Sequence, residues 1–170
     1  MTPALASQIR TFHLPKYREL PDIGLYLEQV TEYINRQLSP LGLPEVSGSM
    51  IRNYVKKGLI TNPEKKRYYA DQIAHLLAVC LLKWVMSLEN IHALFGFYKL
   101  TYSTQTAYDY LGDELENVLY VQFEIKDTLD DVGTSSSTAR QMLCSAIIAL
   151  SNIIYLNGCF RELPSDEEAP

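Results

Sequence analysis

Thr104, Tyr108, Leu111, Leu115, Val118, Gln122, Ile125 and Leu129 recur at alternating intervals of four and three residues without a break. That spacing suits one conformation, a long α-helix whose a and d positions form a continuous seam with one polar place, at Gln122. The acids Asp109, Asp113, Glu114 and Glu116 then fall on its outer faces, where they read as solvated. A loop follows from Asp130 to Ser137, with Gly133 and a Ser/Thr run, and Thr138 to Leu156 reads as a strongly apolar last helix. The loop is short enough for an antiparallel pair. The last helix is apolar on more sides than one partner covers. The seam therefore has two readings: pairing with the same helix of a second subunit, or with the last helix of its own chain. We read it as both, an intrachain helical hairpin that also forms a homodimer interface through Tyr108, Leu111, Leu115, Val118, Gln122, Ile125 and Leu129.

The first hundred residues are punctuated differently. Residues 1–20 contain Pro3 and Pro15, with Pro21 just beyond, and read as an irregular arm. Leu27, Val30, Ile34 and Leu38 form one apolar stripe on a helix that ends at the turn Ser39 to Pro44. Ser47 or Ser49 caps a short helix reaching about Lys57, and Gly58 stops it. Thr61 to Tyr69 is short, basic and aromatic, with Asn62-Pro63 as a turn signal, and fits a small hairpin or wing. Asp71 to Met86 is apolar nearly all round and reads as a buried central helix. Ser87 caps the helix after it.

Charge is distributed unevenly. Residues 1–100 hold 12 Lys/Arg and 8 Asp/Glu, whereas residues 101–170 hold 3 and 12, so a basic head precedes an acidic body. The densest positive patch is Arg52, Lys56, Lys57, Lys65, Lys66 and Arg67, interrupted only by Glu64. Ile51 and Val55 give the short helix a packed side and leave its polar residues for a groove. Arg suits bidentate contact with guanine and Asn with adenine, so Arg52 and Asn53 are the candidate base readers. Lys56, Lys57, Lys65, Lys66 and Arg67 suit phosphates, which position a protein without reading sequence. Tyr54, Tyr68 and Tyr69 have two readings, phosphate contact or packed edge. The candidate interface is taken as these readers and phosphate contacts with Ser49, Tyr54 and Tyr68.

The order Arg52-Asn-Tyr54, Lys56-Lys57-Gly58-Leu59, Arg67-Tyr-Tyr69 and then a helix from Asp71 resembles the DNA-binding domain of MerR-type transcription regulators. Ser87-Leu-Glu-Asn-Ile91 resembles the start of that family's next helix. The span from Leu20 to Phe95 is closer still to an uncharacterised branch of MerR-like domains of unknown function found in Firmicutes. The resemblance implies a winged helix-turn-helix that binds double-stranded DNA as a homodimer through two half-sites. It differs in the longer first helix, the Pro-rich turn and a shorter wing.

Other functions find little support. Cys80, Cys144 and Cys159 have no metal-ligand spacing and sit in apolar runs, which points to buried thiols in a reducing compartment. His13, His75 and His92 are scattered. No Gly-rich phosphate loop, nucleophile elbow or paired-carboxylate motif occurs, so no catalytic residue and no cofactor is expected. The start lacks signal-peptide features, and the apolar segments Ile73 to Met86 and Met142 to Leu156 are shorter than the roughly 20 residues of a bilayer span. The expectation is a cytoplasmic all-α protein with a small β wing. It has an arm (1–20), a winged helix-turn-helix head (21–100), a helical hairpin or coiled-coil dimerisation body (101–160) and a disordered acidic tail (161–170). Two alternatives use the same fold. One is a protein-interaction module that works through the acidic body. The other is a sensor whose C-terminal helices enclose a small-molecule effector, which an apolar cavity between helices favours.

Overall fold

A computed structural model describes residues 3–132 and 137–163. Within them the chain forms α1 (Pro3–Arg10), α2 (Leu27–Leu38), α3 (Gly48–Lys56), α4 (Ala70–Leu82), α5 (Leu88–Lys99), α6 (Thr104–Gln122) and α7 (Thr138–Glu162). Four of these start on serine. Ser47, Ser87, Ser103 and Ser137 each accept a hydrogen bond from the backbone N–H three residues on, satisfying a donor with no partner inside the helix. α3 ends as its sequence foretells: Gly58, at φ 75°, carries the chain out in the left-handed conformation.

α4 is the axis of the fold. Ile73, Leu76, Leu77, Val79 and Leu81 are fully buried, and α2, α5, α6 and α7 all pack on it. One continuous core runs from Leu5 and Ile9 of α1 through α4 to Ile154 of α7, so head and body share their interior.

Among the described residues there is no β-strand, and the expected wing is corrected to a tight turn. Glu64 and Arg67 exchange two backbone hydrogen bonds, of 3.0 and 2.9 Å, around Lys65 and Lys66. Tyr68 then pairs with Leu25 in a second isolated bridge. The ladder stops there for a physical reason. Pro63 has no N–H to continue one arm, and α4 begins at Ala70 on the other. The fold is all-α, not a winged helix-turn-helix.

The amino-terminal arm is also more ordered than expected. α1 buries Leu5 and Ile9, and Phe12 and Leu14 follow them into the core. The extended stretch beyond has no strand to pair with, and α6 supplies its partners. The Leu14 N–H donates to Glu116 (2.9 Å), the Tyr17 N–H to Asp109 (2.7 Å), and Lys16 pairs with Asp113. The Tyr108 hydroxyl donates to the Pro15 carbonyl at 2.7 Å. Three acids expected to be solvated thus hold a strap in place, and the fourth, Glu114, is buried.

The seam helix stops earlier than its spacing suggests, at Gln122. Phe123 turns into the core, and Glu124 reverses the chain at φ 55°. Asn117 then clasps the Asp130 backbone through two hydrogen bonds of 2.9 Å, drawing the return segment back along α6. α7 therefore runs parallel to α6. Arg140 and Cys144 meet Tyr110, whereas Tyr155 meets Phe123 with ring centroids 5.5 Å apart. The expected antiparallel hairpin is corrected accordingly. Part of its expected loop, residues 133–136, lies outside the described residues, as does the tail from 164 onward.

α7 spans 25 residues, longer than the sequence segment suggested, and by length and composition is long and apolar enough to cross a membrane. Its inward face is nevertheless core: Leu143, Ile147, Leu150 and Ile154 are buried in the fold.

Candidate nucleic-acid interface

The side chains of α3 divide cleanly between two faces. Ile51 and Tyr54 are buried and Val55 half-buried, while Ser49, Arg52, Asn53 and Lys56 are exposed. Those four positions stand at i, i+3, i+4 and i+7, so they form one polar stripe about two turns long. Arg52 and Lys56 have no ion-pair partner among the described residues, and the neighbouring Lys57 is 3.9 Å from Glu89. The stripe thus presents cations that the fold does not neutralise.

The tight turn stands beside this stripe. Burial pushes the Tyr68 hydroxyl above its ordinary pKa, and the positive charge of Arg52 pulls the other way, so Arg52 of α3 lies near the residue after the turn. Lys65 and Lys66 are exposed at the tip. Arg67 is fixed at the base: its guanidinium lies 4.8 Å from the centre of the Tyr26 ring and donates to the Tyr26 hydroxyl at 3.0 Å. Stacking of this kind orients an arginine while leaving its charge intact.

Buried Gln72 holds the turn to the core. Its amide nitrogen donates to the carbonyls of Thr61 (3.2 Å) and Asn62 (2.8 Å), and its oxygen accepts from the Tyr69 N–H at 2.8 Å. One side chain therefore satisfies three backbone groups and fixes the approach to α4. Tyr26 and Gln72 were both missed by sequence reasoning. Gln72 left a signal, since a Gln in the third position of a helix is a capping residue. Tyr26 left none, because its partner lies 41 positions away.

Two proposed contacts move to the core. Tyr54 and Tyr68 are each 3% exposed, and burial pushes the Tyr54 hydroxyl up to about 12. Both rings pack, as the packed-edge reading had it. Ser49, Arg52, Asn53, Lys56, Lys57, Lys65 and Lys66 remain exposed, with Arg67 half-exposed.

The residues assigned to dimerisation fare differently. Tyr108, Leu111, Leu115 and Val118 are buried within the chain, Gln122 and Ile125 are half-buried, and Leu129 is exposed outside the helix. The seam is thus used inside the protomer. Among the described residues no group of three or more His, Cys, Asp and Glu is placed to hold a metal ion.

The family model described as Domain of unknown function (DUF1836) matches residues 15–111, more than half of the 170 residues. The chain belongs to the DUF1836 family. Neither a curated protein nor a solved structure matches it. The DUF1836 segment contains all of α2 to α5, the tight turn and the start of α6, so the entire candidate interface lies within it.

Proposed function

We propose that this DUF1836 protein binds double-stranded DNA in a sequence-specific manner and acts as a cytoplasmic transcription regulator. One observation carries the reading: the exposed stripe Ser49, Arg52, Asn53 and Lys56 lies beside a turn tipped by two lysines, and none of the four cations has a carboxylate partner among the described residues. Arg52 and Asn53 have the hydrogen-bonding patterns that discriminate guanine and adenine in a major groove. Lys56, Lys57, Lys65, Lys66 and Arg67 neutralise phosphates.

The backbone of the turn supports the same reading. Lys65 and Lys66 have φ values of 46° and 66°, a region where glycine or asparagine is the low-strain choice. Strain kept at two adjacent lysines suits a site selected for charge rather than for stability. The sequence order that resembles MerR-type regulators adds support at Arg52, the basic residues before Gly58, and Arg67. A homodimer is part of the proposal, and α7 offers it an outward face with Met142, Ile148, Leu156 and Phe160 exposed.

Selection from a mixed duplex library tests specificity. The wild type should enrich a defined half-site. Asn53→Ala should relax one position of it and cost about 1–3 kcal/mol, whereas Lys56→Ala should weaken all sequences alike. Enrichment of no sequence by the wild type would overturn base reading.

A further inference from the structure

Three small residues leave a gap where the helices of the head meet those of the body. Ala74 and Ala78 of α4 face Ala107 of α6 across a cleft of about 70 Å³, completed by Leu94, Leu111 and Leu143. Its interior is apolar. Its mouth is marked by exposed Lys99 and Ser103 and by His75. The His75 ring stands edge-on to Phe95, with centroids 5.2 Å apart, and its Nδ1 lies 2.7 Å from the Asp71 carbonyl. A carbonyl only accepts, so Nδ1 carries the proton and Nε2 is left without one. Burial holds His75 below its ordinary pKa and the nearby Lys99 charge acts in the same direction, against the Asp71 carbonyl contact and the Asp71 carboxylate charge. Among the described residues the lining therefore contains one cation, Lys99, and no carboxylate.

We propose that this cleft binds a small carboxylic acid, its short aliphatic tail among the three alanines and its carboxylate on Lys99 at the mouth. Charge decides the class. An anion meets the Lys99 ammonium there and no carboxylate among the described lining residues, Asp71 standing outside the lining, while an amine meets like charge at Lys99. Size decides the tail. An enclosed cavity of roughly 150 Å³ takes benzene, so about half that volume suits a chain of a few carbons. The cleft touches α4, which carries the turn at its start, and also α6 and α7. A bound acid therefore contacts both halves of the molecule. Of the residues named, all but Leu143 lie within the segment matched by the DUF1836 family.

Calorimetric titration of the full chain with pentanoate and pentylammonium, without DNA, tests the assignment. Its failure is thus separable from failure of DNA binding. Pentanoate should bind saturably at one site and raise the melting temperature, and pentylammonium should do neither. Lys99→Gln alters an exposed side chain and should weaken pentanoate about tenfold, the loss expected for one charge-assisted hydrogen bond. Ala78→Leu fills the cleft and should abolish binding. If Ala78→Leu does not fold, Lys99→Gln still decides the matter. The proposal is overturned by any of three results: no saturable pentanoate binding, equal binding of the two ligands, or pentanoate binding unchanged in Lys99→Gln.

Discussion

Lys65 and Lys66 link strain to the proposed function most directly. Each holds a left-handed conformation that costs an ordinary residue roughly 1–2 kcal/mol. The double variant Lys65→Asn/Lys66→Gly should therefore raise the melting temperature by several degrees. It should also weaken DNA binding and make the salt dependence shallower by about two units of slope. A lower melting temperature contradicts the strain, and unchanged DNA binding contradicts the phosphate role. At His75 the argument concerns protons. Its pKa is depressed in the fold, chiefly by burial, so the unfolded chain binds the proton more readily. The contribution is fully present above the ordinary value of 6.5 and is lost as pH falls below it toward the folded pKa. Urea midpoints at pH 7.5 and 5.5 should fall with pH in the wild type, and His75→Gln should reduce that fall. An equal fall in the variant would show that another group carries it.

At the scale of elements, local signals were legible and distant ones were not. A serine before a polar-apolar repeat marked the starts of α3 and α5, because an N-cap needs only the next three residues. Gly58 marked the end of α3 for a similarly local reason. The stripe on α3 was legible from Ile51 and Val55 alone. The parallel course of α7 was hidden, because heptad spacing shows which face is apolar but not when a helix stops. The stop depends on Phe123 entering the core and on the Asn117 clasp, neither of which has a local signature. The strap was misread because prolines signal irregular backbone, while the acids that anchor it lie about a hundred residues further on. The wing was over-read: a basic two-residue turn looks the same in sequence whether or not strands extend from it. The strap yields a prediction of its own. Glu116→Ala leaves the part-buried Leu14 N–H without its acceptor, at a cost of about 1–3 kcal/mol. Hydrogen exchange should quicken at Leu14 before the rest of the core responds. Unchanged protection there would contradict the anchoring role.

Across the whole molecule, basic residues crowd the α3 face while acids line the body, some of them spent on the strap. That segregation lets a chain of net charge −5 present a locally cationic surface, as the proposed DNA binding requires. The thiols report on the same packing. Burial pushes Cys80 up to about 12, whereas Cys144 and Cys159 are only half-buried. A thiol reagent at pH 8 should therefore spare Cys80 until denaturant is added, while the other two react first. Early modification of Cys80 would contradict the shared core of head and body.

The central claim is that the α3 stripe and the adjacent turn bind DNA. The most direct measurement is binding of a mixed-sequence duplex at several salt concentrations, by the wild type and by Arg52→Ala/Lys56→Ala. The account predicts wild-type binding that weakens steeply with salt, and in the variant a lower affinity with a slope reduced by up to about two. No binding by the wild type at low salt, or an identical slope in both proteins, would contradict it.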